Sequence, residues 1–117
     1  PPEWKMLKVS KVHLYTVGRV AKLSAEQAMK EATEKLLESC ERIYVHMDID
    51  VLDPSEIKAI HMSVPDGLKL AECRSALHVV RKTGRLCGLA VMVFNARKDP
   101  EGTEAGKLNR MIVDSLS

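Results

Sequence analysis

The stretch that most constrains this chain is Leu86 to Phe94, LCGLAVMVF, an almost unbroken apolar run of strand length. A strand with one wet face alternates polar and apolar residues, whereas a strand covered on both faces does not. The run therefore reads as a strand buried on both faces, the habit of parallel sheets flanked by helices. Ile43 to Ile49 (IYVHMDI) is a second strand candidate, and the β-branched and aromatic segment Val12 to Val17 (VHLYTV) a third. Helical patterns separate them. Ser24, with Gln27 three residues on, has the capping-box pattern and opens a helix from Ala25 to about Ser39. Ala25, Ala28, Met29, Ala32, Leu36 and Leu37 form its apolar stripe. Leu70, Cys73, Ala76, Leu77 and Val80 recur at helical spacing, and Thr83-Gly84 closes that helix. Thr103 is placed to cap a last helix carrying Ala105, Leu108, Met111, Ile112 and Leu116. Residues 1–9 read as an irregular lead-in. The order β-α-β-α-β-α, without repeat or linker, predicts one α/β domain over residues 1–117, a three-layer α/β/α arrangement around a parallel sheet.

Composition narrows the function. Eighteen Lys and Arg against 16 Asp and Glu leave a net charge of +2 in 117 residues. With no basic stripe, and only Trp4, Tyr15, Tyr44 and Phe94 as aromatic residues, neither duplex nor single-stranded nucleic acid is an expected partner. No apolar run approaches the roughly 18 residues of a membrane span, and no signal peptide is recognisable. Cys40, Cys73 and Cys87 are odd in number, widely spaced and set in apolar contexts. They read as buried free thiols of a reducing, cytoplasmic compartment rather than a zinc knuckle or a disulfide framework.

Parallel sheets collect ligands at the carboxyl ends of their strands. There the sequence reads His46-Met47-Asp48-Ile49-Asp50-Val51-Leu52-Asp53-Pro54. Side chains two apart in a strand share a face, so His46, Asp48 and Asp50 are expected together. Two carboxylates and an imidazole suit a hard cation such as manganese or magnesium. The same spacing also serves as an ordinary solvated strand end. Asp53-Pro54 is the turn that ends the strand.

Residues 43–54, IYVHMDIDVLDP, resemble the third metal-binding motif of the ureohydrolase family, which holds arginase, agmatinase and formiminoglutamase. The likeness continues through Gly67-Leu68, Glu72 and Gly88 to Asn95 (GLAVMVFN), and back through Val12 to Ser39. It implies an arginase-like fold of which this chain is the C-terminal half. It implies that Asp48 and Asp50 are metal ligands of a binuclear Mn²⁺ centre, and that Asp53 shapes the turn. The activity it implies is hydrolysis of a C–N bond in a linear amidine or guanidine-like substrate by a metal-bound hydroxide.

The departures are informative too. The family's two earlier ligand motifs, Gly-Gly-Asp-His and Asp-Ala-His-x-Asp, are not in this chain. Two carboxylates leave most of a coordination shell to water, so Mn²⁺ is expected in a longer parent and only weakly here. No catalytic residue is assigned, and the piece alone is expected to be inactive. The family's substrate-contacting glutamate falls at Val93, which points away from arginine and agmatine. The loop Lys58-Ala59-Ile60-His61-Met62-Ser63 replaces a Gly- and Thr-rich one. His61 is the candidate substrate contact in it, set against a plain surface-loop histidine. His46 is weighed as an extra ligand against a crevice histidine with one hydrogen bond. Glu72 reads as helix-start electrostatics. His13 and His78 read as structural. Self-association or pairing with a missing N-terminal half is expected. The competing reading is a non-catalytic α/β module for binding or oligomerisation.

Overall fold

Alternation decides β1, Ile43–Asp48: Ile43 and Met47 are buried, Val45 is half-buried, and Tyr44, His46 and Asp48 are exposed. In the computed structural model, which describes residues 2–117, β1 pairs in parallel with β2, Leu86–Met92. The register sets Val45 against Leu89, His46 against Ala90, Met47 against Val91 and Asp48 against Met92. The chain crosses between the strands through α4, Leu70–Lys82. This is an α/β fold with a parallel sheet, as the alternating pattern predicts. Val45, Met47, Leu89 and Val91 face a core built with Cys73 and Leu77 of α4 and with Leu108 and Met111 of α5, Thr103–Leu116. Helix α3, Ala25–Leu37, packs beside α4, and α2, Val17–Leu23, packs against α3.

The opposite face of the sheet carries Tyr44, His46 and Asp48 beside Gly88, Ala90 and Met92. Tyr44 is 61% exposed and Met92 46%. The expectation that Leu86–Phe94 is covered on both faces is therefore not met by the described residues. Gly88 has a local reason: a Cβ there would lie 2.9 Å from the Tyr44 ring.

Two N-terminal expectations fail. Residues 2–9 form a helix, α1, rather than an irregular lead-in, with Pro2 in the first turn where its missing N–H costs nothing. Residues 12–16 are irregular rather than a strand, and the chain enters α2 at Val17. β-propensity needs a neighbouring strand to pair and pack with. Val12 and Val17 instead stand 58% and 61% exposed, and the Thr16 hydroxyl caps α2 by accepting from Arg19 N at 3.3 Å. Among the described residues, two strands and five α-helices thus replace the expected three of each.

The caps are partly as predicted. Ser24 Oγ accepts from Gln27 N at 3.2 Å and opens α3, but Gln27 turns to Glu31 instead of completing a box. Helix α5 is capped by Asp99 rather than Thr103: its oxygens accept from Glu104 N at 3.0 Å and Ala105 N at 2.8 Å. Burial of the Asp99 carboxyl would raise its pKa, but the amides of Ala105, Glu104 and Thr103 outweigh that and hold it low. Of the cysteines only Cys73 is buried, its thiol pushed up to about 11 by desolvation. Cys40 and Cys87 are exposed, contrary to expectation, and all three are free.

Candidate functional site

The strand end is built by hydrophobic anchoring of alternate residues. Ile49 and Leu52 are fully buried, so Asp48 and Asp50 are turned outward on either side of Ile49. Asp48 ends β1, and Asp50 lies in a short 3₁₀ turn, Ile49–Val51. His46 Nε2 lies 3.1 Å from Asp48 Oδ1, with both side chains about half exposed. His46 thus sits in a crevice with one hydrogen bond. His46, Asp48 and Asp50 line one cavity of about 550 Å³ with apolar walls from Met29 of α3, Val45 and Val51, and Cys73 and Leu77 of α4.

Asp53 is placed differently. Oδ1 accepts from Ser55 N at 2.9 Å and from the Ser55 hydroxyl, and Oδ2 accepts from Asp66 N at 3.1 Å. Lys69 Nζ lies 3.5 Å from Oδ1. The Ser55 hydroxyl and amide, with help from Lys69, lower the Asp53 pKa to about 2. Asp53 thereby ties the two ends of the 53–66 loop together behind Pro54. The backbone closes the same loop: Leu68 N donates to Val51 O and Asp53 N donates to Leu68 O, each at 2.9 Å. Gly67 permits that approach, since a Cβ there would stand 2.6 Å from Asp53 N and 2.7 Å from Val51 O.

The loop's middle is pinned from the other side. Ile57, Ala59 and Ile60 are buried, and Ile60 bridges Phe94. Asn95 N donates to Ala59 O at 2.8 Å, and Lys98 Nζ donates to Ile60 O at 2.8 Å. Glu104, almost fully buried, accepts from Lys58 N at 2.6 Å and from Lys107 Nζ at 2.8 Å. The Lys107 ammonium first, and the Lys58 amide second, hold its pKa low. Sequence reading missed Glu104; an acidic residue in a helix's first turn carries no signal that it clamps a distant loop. These anchors leave His61 exposed in a concavity of about 440 Å³ with Val93, Phe94 and Arg97. His61 and the Asp48–Asp50 pair therefore line separate cavities. Glu72 accepts from Lys69 N at 2.8 Å and caps α4, and His78 Nδ1 meets Ser115 O at 3.2 Å between α4 and α5.

Among the described residues no three His, Cys, Asp or Glu side chains converge as a metal site needs. Asp48 and Asp50 suit a hard cation by donor chemistry. Two carboxylates would make up only part of a coordination shell, and His46 bonds to Asp48.

Comparison with known proteins bears on the family and the fold. The Arginase family model matches residues 1–116. The chain belongs to the arginase family. This arginase-family chain is 34% identical over 104 residues to Arginase-1 of Bos taurus, covering 86% of itself and 32% of that protein. It is 24% identical over 114 residues to Arginase of Bacillus subtilis, covering 97% of itself and 38% of the relative. It thus spans under two-fifths of these relatives' lengths. Among solved structures it superposes on formimidoylglutamase from Bacillus subtilis with a TM-score of 0.89 at 17% identity, over 98% of this chain and 36% of the other. Arginase from Bacillus caldovelox gives a TM-score of 0.87 at 23% identity, over 98% and 38%. These confirm the arginase fold and a chain that corresponds to part of it. No helix among the described residues is long and apolar enough to cross a membrane.

Proposed function

We propose that this chain is the C-terminal part of a cytoplasmic, ureohydrolase-like hydrolase that cleaves a C–N bond of a linear amidine or guanidine-like substrate with Mn²⁺. The observation that carries the reading is the outward placement of Asp48 and Asp50 in one cavity at the carboxyl end of β1, in a chain of the arginase family. Asp48 and Asp50 would hold the metal, with the remaining donors coming from outside the described residues. The chemistry that a manganese ion would supply there is a hydroxide nucleophile at neutral pH. The chain's own contribution is placement. Buried Ile49 and Leu52 fix the two carboxylates on a rigid strand end, and Asp53 with Gly67 holds the loop beneath them. His46 Nε2 donates to Asp48 Oδ1 at 3.1 Å, and so biases which Asp48 oxygen faces a ligand. The 117-residue chain alone is inactive, because two carboxylates do not complete a binuclear centre.

Among the described residues, β1 and β2 each leave one edge unpaired, and Tyr44 and Met92 stand on the uncovered face. Such edges invite pairing. The isolated chain therefore self-associates or pairs with an N-terminal half, and a monodisperse monomer in light scattering would count against this.

The decisive assay measures urea, formamide or ammonia release from guanidine and formimidoyl substrates. No turnover is expected from this chain alone, and Mn²⁺-dependent turnover from a protein of the relatives' full length that contains it. Absence of turnover in that longer protein, with no change in Tm on adding Mn²⁺, would favour the second reading, a non-catalytic α/β module. Val93 supports that second reading, since a valine brings no carboxylate to a cationic substrate.

A further inference from the structure

The carboxyl end of β2 carries a second concavity that the strand-end carboxylates do not use. We infer that this concavity, bounded by His61, Val93, Phe94, Asn95, Ala96 and Arg97, is a subsite for the carboxylate of a small organic acid with a short apolar chain.

Backbone strain marks the place. Val93 has φ +71°, a left-handed conformation that is a genuine outlier for a β-branched residue. Such a residue persists only where its surroundings over-determine it, and these outliers cluster at ligand sites. Here the surroundings do so on both sides. Met92 is held by its pairing with Asp48, while Phe94 bridges Ile60 and Asn95 N binds Ala59 O. Val93 is turned over between these anchors and left 41% exposed, so the strain is not repaid by burial of its side chain.

The chemistry of the walls selects the ligand. Val93, Phe94 and Ala96 give apolar surface. Asn95 Oδ1 is engaged by Arg97 N at 3.2 Å, which leaves its amide NH₂ as a donor. The Arg97 guanidinium and the His61 ring make no hydrogen bond or ion pair with described residues, whereas neighbouring Lys98 is tied to Ile60 O. No carboxylate borders the concavity. A cation would find no counter-charge there, while a carboxylate meets a planar guanidinium that matches its two oxygens. Because Met92 is paired with Asp48, the subsite opens at the same end of the sheet as the proposed metal ligands. Calling its occupant part of the substrate rests on the hydrolase reading; the binding itself does not.

The test is an NMR titration of the ¹⁵N-labelled 117-residue chain without metal, using butyrate and butylamine as probes. Butyrate should shift the Val93, Asn95 and Arg97 amides saturably, and butylamine should not. Arg97→Gln, a surface change, should weaken butyrate about tenfold, the loss expected for one charge-assisted contact. Val93→Gly tolerates the same φ and should keep carboxylate binding while losing the preference for butyrate over acetate. Equal response to butylamine, no saturable shift, or a butyrate response unaltered in Arg97→Gln would each overturn the subsite. Asp48→Ala should leave the butyrate titration unchanged. A chain that binds butyrate but ignores Mn²⁺ thus loses the metal reading alone, and the converse loses the subsite alone.

Discussion

Asp53 and the pair Asp48–Asp50 lie within one short segment, yet their carboxylates are used in opposite ways. Both Asp53 oxygens accept hydrogen bonds, from the Ser55 amide and hydroxyl and from Asp66 N, and Lys69 stands beside them. Asp48 meets only His46 among the described residues, and Asp50 accepts no hydrogen bond from any of them. A carboxylate saturated by the fold contributes to folding and is spent for ligands. One left open contributes little to folding and stays free for a cation. The Asp-x-Asp-x-x-Asp spacing contains both kinds and does not itself distinguish them.

The largest effect that would sharpen this contrast is expected at Gly67, on the Asp53 side. Gly67→Ala puts a Cβ against three backbone atoms of residues 51–53, where no side chain can yield. We predict a loss of about 3 kcal/mol, read as a lower midpoint in urea unfolding, from overpacking against main chain. A wild-type midpoint would show that the 51–53 and 67–68 backbones do not meet as described.

A smaller effect, with a pH signature, is expected of Asp53→Asn. The folded-state pKa of Asp53, about 2, lies below its ordinary value of 3.8. Its ionised form therefore stabilises the fold above pH 4, and that stabilisation fades as pH falls from about 4 to about 2. Asp53→Asn should lower Tm at pH 7 and flatten the Tm profile through that window. A profile parallel to wild type would remove Asp53 from its structural role.

The smallest stability effect belongs to the open pair. Asp48→Ala and Asp50→Ala should each change unfolding free energy by no more than about 0.5 kcal/mol, as surface substitutions do. A loss as large as that of Asp53→Asn would mean that these carboxylates also hold the fold.

The helical stripes of α3 and α4, the β1 alternation and the parallel pairing were readable because each follows from burial of periodic residues, and burial is written in local pattern. Val12–Val17 was misread because strand formation depends on a partner that local pattern does not reveal. The early end of β2, at Met92 rather than Phe94, comes from the turned backbone of Val93, which is imposed by the Ile60–Phe94 bridge from a loop far away in sequence. Asp99 outcompeted Thr103 as the α5 cap because both its oxygens reach the helix's first free amides. At the candidate site, spacing predicts Asp48 and Asp50 on one strand face, whereas Asp50 stands in the 3₁₀ turn after β1 and the two line one cavity. It gave no hint that His61 lines a different one, because loop course is set by tertiary anchors such as Glu104 and Lys98.

The central claim, that Asp48 and Asp50 are the open metal-ligating carboxylates, is tested most directly by titrating Mn²⁺ into the chain. The electron paramagnetic resonance signal of the free ion reports what remains unbound. Wild type should bind weakly, with a Kd of about 10⁻³ M for a carboxylate-poor shell, and Asp48→Ala and Asp50→Ala should each abolish that binding while Asp53→Asn keeps it. Binding that survives both alanine variants, or is lost only with Asp53, would contradict the account.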